Sequence, residues 1–247
     1  MPLDWLTARP IAHRGLHDAA AGIIENTASA FTAAIEANYA IECDLQISAD
    51  GEAMVHHDDA LGRLTEGSGR LAAMDAAAIK AVRFKTSADR ILTLGELCEL
   101  TGGRATLVIE LKSHFDGDTR LVQRAAQVLA RYRGPAAVMS FDPDMVAALR
   151  AIAPRLTRGI VAERDYSHPE WQALPYWRRR SMAHLLHFPR TRPHFIAYWV
   201  GALPTLAPLI ARYVFGCPLL TWTVRSLEDI ARARHWANQM IFEGWRP

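Results

Sequence analysis

Glu42, Asp44 and Gln46 alternate with Ile41, Cys43, Leu45 and Ile47 in the stretch "IECDLQI". Successive side chains of a strand point to opposite faces, so the apolar set packs against one layer and the acids share the other. The stretch "TLVIELK" (106–112) repeats the pattern, with Glu110 and Lys112 on one face and Leu107, Ile109 and Leu111 on the other. Unpaired carboxylates facing each other inside a fold repel and lose hydration, which costs several kcal/mol unless a cation or a proton compensates. Three oxygen donors from two strands suit a hard divalent ion such as Mg²⁺ or Ca²⁺. Spacing alone is equally satisfied by ion pairs buried in the fold.

His13 closes the run "PIAH" with Arg14 directly after it, and His57 closes "AMVHH". A single histidine at a strand end is usually structural. Two histidines, an arginine, a lysine and three carboxylates at neighbouring strand ends form a more specific set. Histidines move protons near neutral pH, while fixed cations and a metal stabilise a tetrahedral anion.

These residues need a frame that brings strand ends together. Eight β-like runs (10–13, 40–47, 106–112, 136–141, 158–163, 195–200, 219–224 and 239–244) alternate with helical patterns at 27–38, 94–101, 118–132, 144–153, 205–215 and 226–237. Asn26 or Thr27 and Ser226 stand where N-caps belong. Eight such units in 247 residues predict an α/β fold, a TIM (β/α)8 barrel, whose active sites lie at the C-terminal strand ends. One domain over 1–247 is expected, with an excursion at about 50–93 where a further extended run, "AMVHHD", leads into the polar stretch "LGRLTEGSGRL".

A formal charge of +2 lacks the basic excess of a nucleic-acid binder, and none is expected as a partner. Three scattered cysteines without a C-x-x-C pair point to a reducing compartment, and "MPLDWLTARP" has no signal-peptide core, so a cytoplasmic location is expected. The uncharged run 195–211 is divided by Gly201, Pro204 and Pro208 and reads as strand, loop and buried helix rather than a membrane span.

The ordered set "AHRG", "ENTASAF" (25–31), "IECDLQISADG" (41–51), "HDDALGRLT" (57–65), "LTLGEL" (92–97), "IELK" (109–112), "SF" (140–141) and "TWTV" (221–224) resembles the glycerophosphodiester phosphodiesterase family over nearly the whole chain. The resemblance implies a TIM barrel, one divalent ion, commonly Mg²⁺ or Ca²⁺, and cleavage of glycerophosphodiesters to glycerol 3-phosphate and an alcohol through a cyclic phosphate. Carried over by position, it implies His13 and His57 as the acid/base pair, Arg14 and Lys112 as phosphate contacts, and Glu42, Asp44 and Glu110 as metal ligands. Trp222, like Tyr198, Glu163 and Glu243, ends a strand; Trp222 is expected at the substrate, and for each of the four, packing in the core or rim is as good a reading as shaping the pocket. Two departures stand out. Arg225 follows "TWTV" where the family often has asparagine, and "IFEGWRP" stands where "TDRP" is common.

The stretch 171–195 carries five arginines, three histidines, several aromatics and no acid. It reads either as a solvated outer face or as a peripheral contact with an anionic membrane. The membrane reading favours a lysophospholipase D, a rival of the same fold. A catalytically silent phosphate-binding barrel is the rival of another class, and it would need neither a metal cage nor two proton carriers.

Overall fold

The computed structural model describes residues 3–247. Its strands are β1 (Ile11–Ala12), β2 (Ala40–Ile47), β3 (Ala53–Val55), β4 (Leu107–Leu111), β5 (Ala136–Ser140), β6 (Thr157–Ala162), β7 (Phe195–Trp199), β8 (Leu219–Val224) and β9 (Gln239–Phe242). The helices are α1 (Asp4–Thr7), α2 (Ala28–Glu36), α3 (Ala76–Ala81), α4 (Leu94–Thr101), α5 (Arg120–Leu129), α6 (Pro143–Ile152), α7 (Tyr176–Ala183), α8 (Phe188–Thr191), α9 (Leu206–Tyr213) and α10 (Leu227–Trp236).

All strands but β3 pair in parallel, and β1 bonds to both β2 and β9, which closes an eight-stranded TIM barrel. β3 lies antiparallel on the far half of β2. Together with α3 it forms the excursion, which has its own apolar cluster of Ile24, Met54, Leu61, Leu71, Ile79, Phe84 and Ile91.

The alternation along each strand sorts two layers. Ile41, Cys43, Leu45, Leu107, Ile109 and Leu111 pack outward against helix residues such as Leu97, Leu121 and Ala125. Val108, Ala137, Met139, Val161, Phe195, Leu220 and Ile241 fill the interior, with Leu6 of α1 among them. Each of these valine, leucine, isoleucine, methionine and phenylalanine side chains contributes about 1.5–3 kcal/mol by leaving water. Helix starts follow local chemistry: the Thr27 hydroxyl accepts from Ala30 N to begin α2, and Ser226 with Asp229 forms a capping box at α10.

The apolar run 195–211 resolves into β7, a 3₁₀ turn at Val200–Ala202 and most of α9. No helix among the described residues is long and apolar enough to cross a membrane.

His187, just ahead of α8, is buried, and its Nε2 has no hydrogen-bond partner among the described residues. Burial, reinforced by Arg190, pushes its pKa down to about 4. Unfolded histidine takes up its proton near pH 6.5, so stability is lost progressively as pH falls from there to about 4, by roughly 3 kcal/mol in all. Chemical denaturation between pH 7 and pH 4 should show the wild type losing about that much more stability than His187→Leu. Parallel curves would contradict the assignment.

Candidate active site

The parallel register sets Asp44 beside Glu110 on neighbouring strands, with Glu42 two residues earlier on the same inward face as Asp44. Donor oxygens of the three lie within 4.8 Å of one another, and all three side chains are buried. Lys112 Nζ bridges two of them, 2.8 Å from Asp44 and 2.7 Å from Glu110. Arg14 Nε lies 3.2 Å from Asp44. Burial opposes ionisation of Asp44, but Lys112 and Arg14 overcome it and hold the carboxyl far below the usual carboxylate range. Glu42 goes the other way: burial, then the charges of Asp44 and Glu110, push it well up. Burial also raises Glu110, which Lys112 only partly offsets. Three carboxyl groups face two permanent cations, so Glu42 is left without a cation of its own and is the acid least able to ionise there.

Each histidine is anchored through one ring nitrogen. Nδ1 of His13 lies 2.5 Å from Glu243 Oε2, and Nδ1 of His57 lies 2.8 Å from Asp58 Oδ1. A carboxylate partner fixes the tautomer with the proton on Nδ1 and leaves Nε2 as the working atom. His13 Nε2 is 3.9 Å from Glu42. Burial lowers both histidines, His57 to about 4, where Lys112 and Arg14 also act against a partial rescue by Asp44. Both rings are therefore neutral at pH 7. Burial opposes ionisation of Glu243, yet hydrogen bonds from His13 and Arg225 hold it far below the normal range.

Backbone geometry at Arg14 and Asn26 is unusual. Arg14 has φ 55° and Asn26 φ 57°, a region side-chain-bearing residues rarely adopt. Arg14 N donates to Glu42 Oε2 at 2.9 Å, and Asn26 N donates to Arg14 O at 2.9 Å. The Asn26 side chain donates to Asp44 Oδ2 at 2.9 Å and accepts from Asp44 N at 3.2 Å. Gly15 follows at φ 80°, where a Cβ would come within 2.9 Å of Ala30, so the chain passes α2 only with glycine there. The strained turn thus presents one backbone N–H and one guanidinium to the acids.

Around this centre opens a cavity of 860 Å³ at the C-terminal end of the barrel, lined by His13, Arg14, Glu42, His57, Glu110 and Lys112 among others. Its opposite wall is aromatic. Trp222 meets Phe141 edge-on at 5.4 Å between centroids, and Phe141 meets Trp171 at 5.2 Å. Trp171 Nε1 donates to Glu163 at 2.7 Å, and Trp222 Nε1 to Ala197 O at 3.1 Å. A charged half and an apolar half suit an anion carrying a less polar substituent.

The pattern that defines the glycerophosphoryl diester phosphodiesterase family matches residues 13–243. The chain belongs to this family. A glycerophosphodiester phosphodiesterase of Caldanaerobacter subterraneus subsp. tengcongensis is 29% identical over 232 residues, 90% of this chain and 88% of the relative. Bovine glycerophosphodiester phosphodiesterase 1 is 26% identical over 209 residues, covering 80% of this chain and 56% of that protein. Among solved structures, an Oleispira antarctica phosphodiesterase in complex with sn-glycerol-3-phosphate superposes with a TM-score of 0.77 at 19% identity, covering 96% and 94% of the two chains. The glycerophosphodiester phosphodiesterase of Thermotoga maritima gives 0.70 at 22% identity, covering 94% and 92%. At these identities the structural likeness speaks to the fold.

All eight site residues expected from the sequence line this phosphodiesterase-family cavity or, for Asp44, lie directly behind it. His56, the neighbour of His57, is buried outside the cavity wall. The two departures from the family pattern meet each other: Arg225 Nη2 is 2.9 Å from Glu243, the carboxylate that holds His13. Sequence reading gave no role to Glu25, Asp58 or Arg63, which form a linked set with Arg14. Arg63 contacts Glu25 and Asp58 at 2.6 and 2.7 Å, and Arg14 contacts Glu25 at 2.7 Å. "ENTASAF" and "HDDALGR" contain these residues, but only the folded loops join them.

Proposed function

We propose that the enzyme hydrolyses glycerophosphodiesters to glycerol 3-phosphate and an alcohol through a cyclic phosphate, with His13 and His57 as proton carriers. The observation that carries this is the pair of carboxylate-anchored histidines flanking a buried carboxylate cluster at the mouth of one cavity. The Oleispira antarctica structure, which holds sn-glycerol-3-phosphate, supports the substrate class.

Glu42, Asp44 and Glu110 fit a hard divalent ion, Mg²⁺ or Ca²⁺, because they offer only oxygen donors and include one carboxyl group more than Arg14 and Lys112 can pair. Such an ion supplies neutralisation of phosphate charge and Lewis-acid polarisation. Arg14 and Lys112 hold the phosphate oxygens from the protein side.

The environments of the two rings divide their roles. His57, pushed down to about 4, resists protonation and serves as the base. It accepts the proton of the glycerol 2-hydroxyl as that oxygen bonds to phosphorus. His13 is held by Glu243, whose hydrogen bond and charge favour the protonated ring against burial, and in that form it delivers a proton to the leaving alkoxide as the phosphorus–oxygen bond breaks. The resulting 1,2-cyclic phosphate is opened when water adds to phosphorus. His13, now neutral, takes the water proton, and His57 returns its proton to the 2-oxygen.

The aromatic wall of Phe141, Trp171 and Trp222 also favours a second reading, lysophospholipase D activity, in which an acyl chain lies along it. Turnover of a panel of water-soluble glycerophosphodiesters and lysophospholipids, with products identified, tests both. Glycerol 3-phosphate from the soluble diesters is the expected outcome. Release of a head-group alcohol from lysophospholipids alone would favour the second reading, and no product from either would remove both.

A further inference from the structure

Arg63 stands in the loop of the excursion and does not line the cavity, yet all three nitrogens of its guanidinium are committed to groups that do their work there. Nε and Nη2 grip Asp58, at 2.7 Å to Oδ2 and 3.2 Å to Oδ1. Nη2 and Nη1 reach Glu25, at 2.6 Å to Oε1 and 3.3 Å to Oε2. Each carboxylate passes on one contact. Asp58 Oδ1 accepts from His57 Nδ1 at 2.8 Å, and Glu25 Oε1 accepts from Arg14 Nη1 at 2.7 Å. A single fork therefore joins the holder of the His57 ring to the holder of the Arg14 head.

The loop that carries Arg63 has bracing of its own. Ala60 bridges to Arg70 and Thr65 to Phe84, Gly62 N donates to Thr65 Oγ1 at 3.2 Å, and Lys85 Nζ donates to Gly62 O. None of these contacts uses the Arg63 side chain. Its head is half in solvent, so its ion pairs add little to global stability. Their local effect is larger. His57 and Asp58 are adjacent on a bend, with side chains 32% and 24% exposed, and packing alone does not lock the carboxylate. Burial disfavours both acids in ionised form, and hydrogen bonds from Arg63 are foremost among the contacts that hold Asp58 at about 2 and Glu25 below its ordinary range.

We infer that Arg63 is a positioning residue that fixes His57 and Arg14 in one geometry, so that the proton acceptor and the phosphate grip are set together from the excursion. The inference rests on the roles proposed above for those two residues. Lysine is no substitute, because one ammonium does not reach four carboxylate oxygens lying along a planar fork.

The test is steady-state kinetics of full-length variants on a soluble glycerophosphodiester. In Arg63→Ala, kcat falls by roughly 10- to 10²-fold, the range for loss of a group that orients a reacting side chain, and KM rises about threefold or more. The melting temperature moves by no more than about 4 °C. Arg63→Lys keeps the charge without the fork and stays within about threefold of Arg63→Ala. Arg70→Ala, which removes a pair with Asp59 at 3.0 Å in the same loop, leaves kcat within about twofold of wild type. Double-mutant cycles separate positioning from general damage. In a His57→Ala background Arg63→Ala changes kcat by less than about twofold, and in an Arg14→Ala background it changes KM by less than about twofold. Wild-type kinetics in Arg63→Ala, a full drop in kcat that persists in His57→Ala, or an equal drop in Arg70→Ala would overturn the inference and leave the proposed roles standing. A wild-type rate in His57→Ala itself would remove those roles and the inference with them.

Discussion

Stripping divalent ions from the purified enzyme is expected to lower turnover by at least about 10²-fold, and Mg²⁺ or Ca²⁺ to restore it, since a cation held by Glu42, Asp44 and Glu110 would supply several kcal/mol to a phosphoryl transition state. Glu42 distinguishes a metal ligand from a structural charge. Its carboxylate is buried beside two others and pushed well above its ordinary pKa by burial, Asp44 and Glu110. In the ion-free protein, Glu42→Gln therefore removes repulsion and should leave the melting temperature unchanged or higher, while affinity for the ion, read by calorimetry, falls steeply. Asp44→Asn should behave differently. It strips Arg14 and Lys112 of their common partner and leaves these cations with only Glu25 and Glu110 to pair them, so stability falls together with activity. A large loss of stability in Glu42→Gln would show the cluster to be an ion-pair network instead.

Replacing either anchored histidine lowers kcat by roughly 10²- to 10⁴-fold, the range for loss of a general acid or base. The two variants should differ in a diagnostic way. A substrate with a strongly acidic leaving alcohol needs little protonation, so His13→Ala should recover much of its rate on it, whereas His57→Ala should not. His56→Ala is the control, since that ring is buried outside the cavity wall and should cost far less in kcat. Equal rescue of both variants would reverse or dissolve the division of roles.

Much of this site was legible in the sequence because it sits on regular strands. Strict alternation in "IECDLQI" and "TLVIELK" puts Glu42, Asp44 and Glu110 on inward faces, and the parallel register of β2 and β4 turns that shared parity into proximity. His13 and Arg14 were legible as the end of the first strand. What escaped lies in segments without a period. Asn26 reaches Asp44 only because its backbone adopts φ 57°, and Arg63 reaches Glu25 across the excursion loop, 38 residues away. Glu243 was visible as a strand end, but its grip on His13 depends on barrel closure, which brings residues 230 positions apart into contact. The run of three arginines at 178–180 looked like a surface feature because local sequence holds no acid, and its partners Asp142 and Asp144 come from the start of α6.

The central claim is that the substrate's own 2-hydroxyl attacks phosphorus, with His13 and His57 carrying the protons. A tethered nucleophile gains a large effective molarity that free water lacks. Phosphorus NMR of the enzyme acting on a glycerophosphodiester and on its 2-deoxy analogue reads this directly. The account predicts a transient 1,2-cyclic phosphate and then glycerol 3-phosphate from the first, and an intact, competitively inhibiting second compound. Cleavage of the deoxy analogue at a normal rate would contradict it.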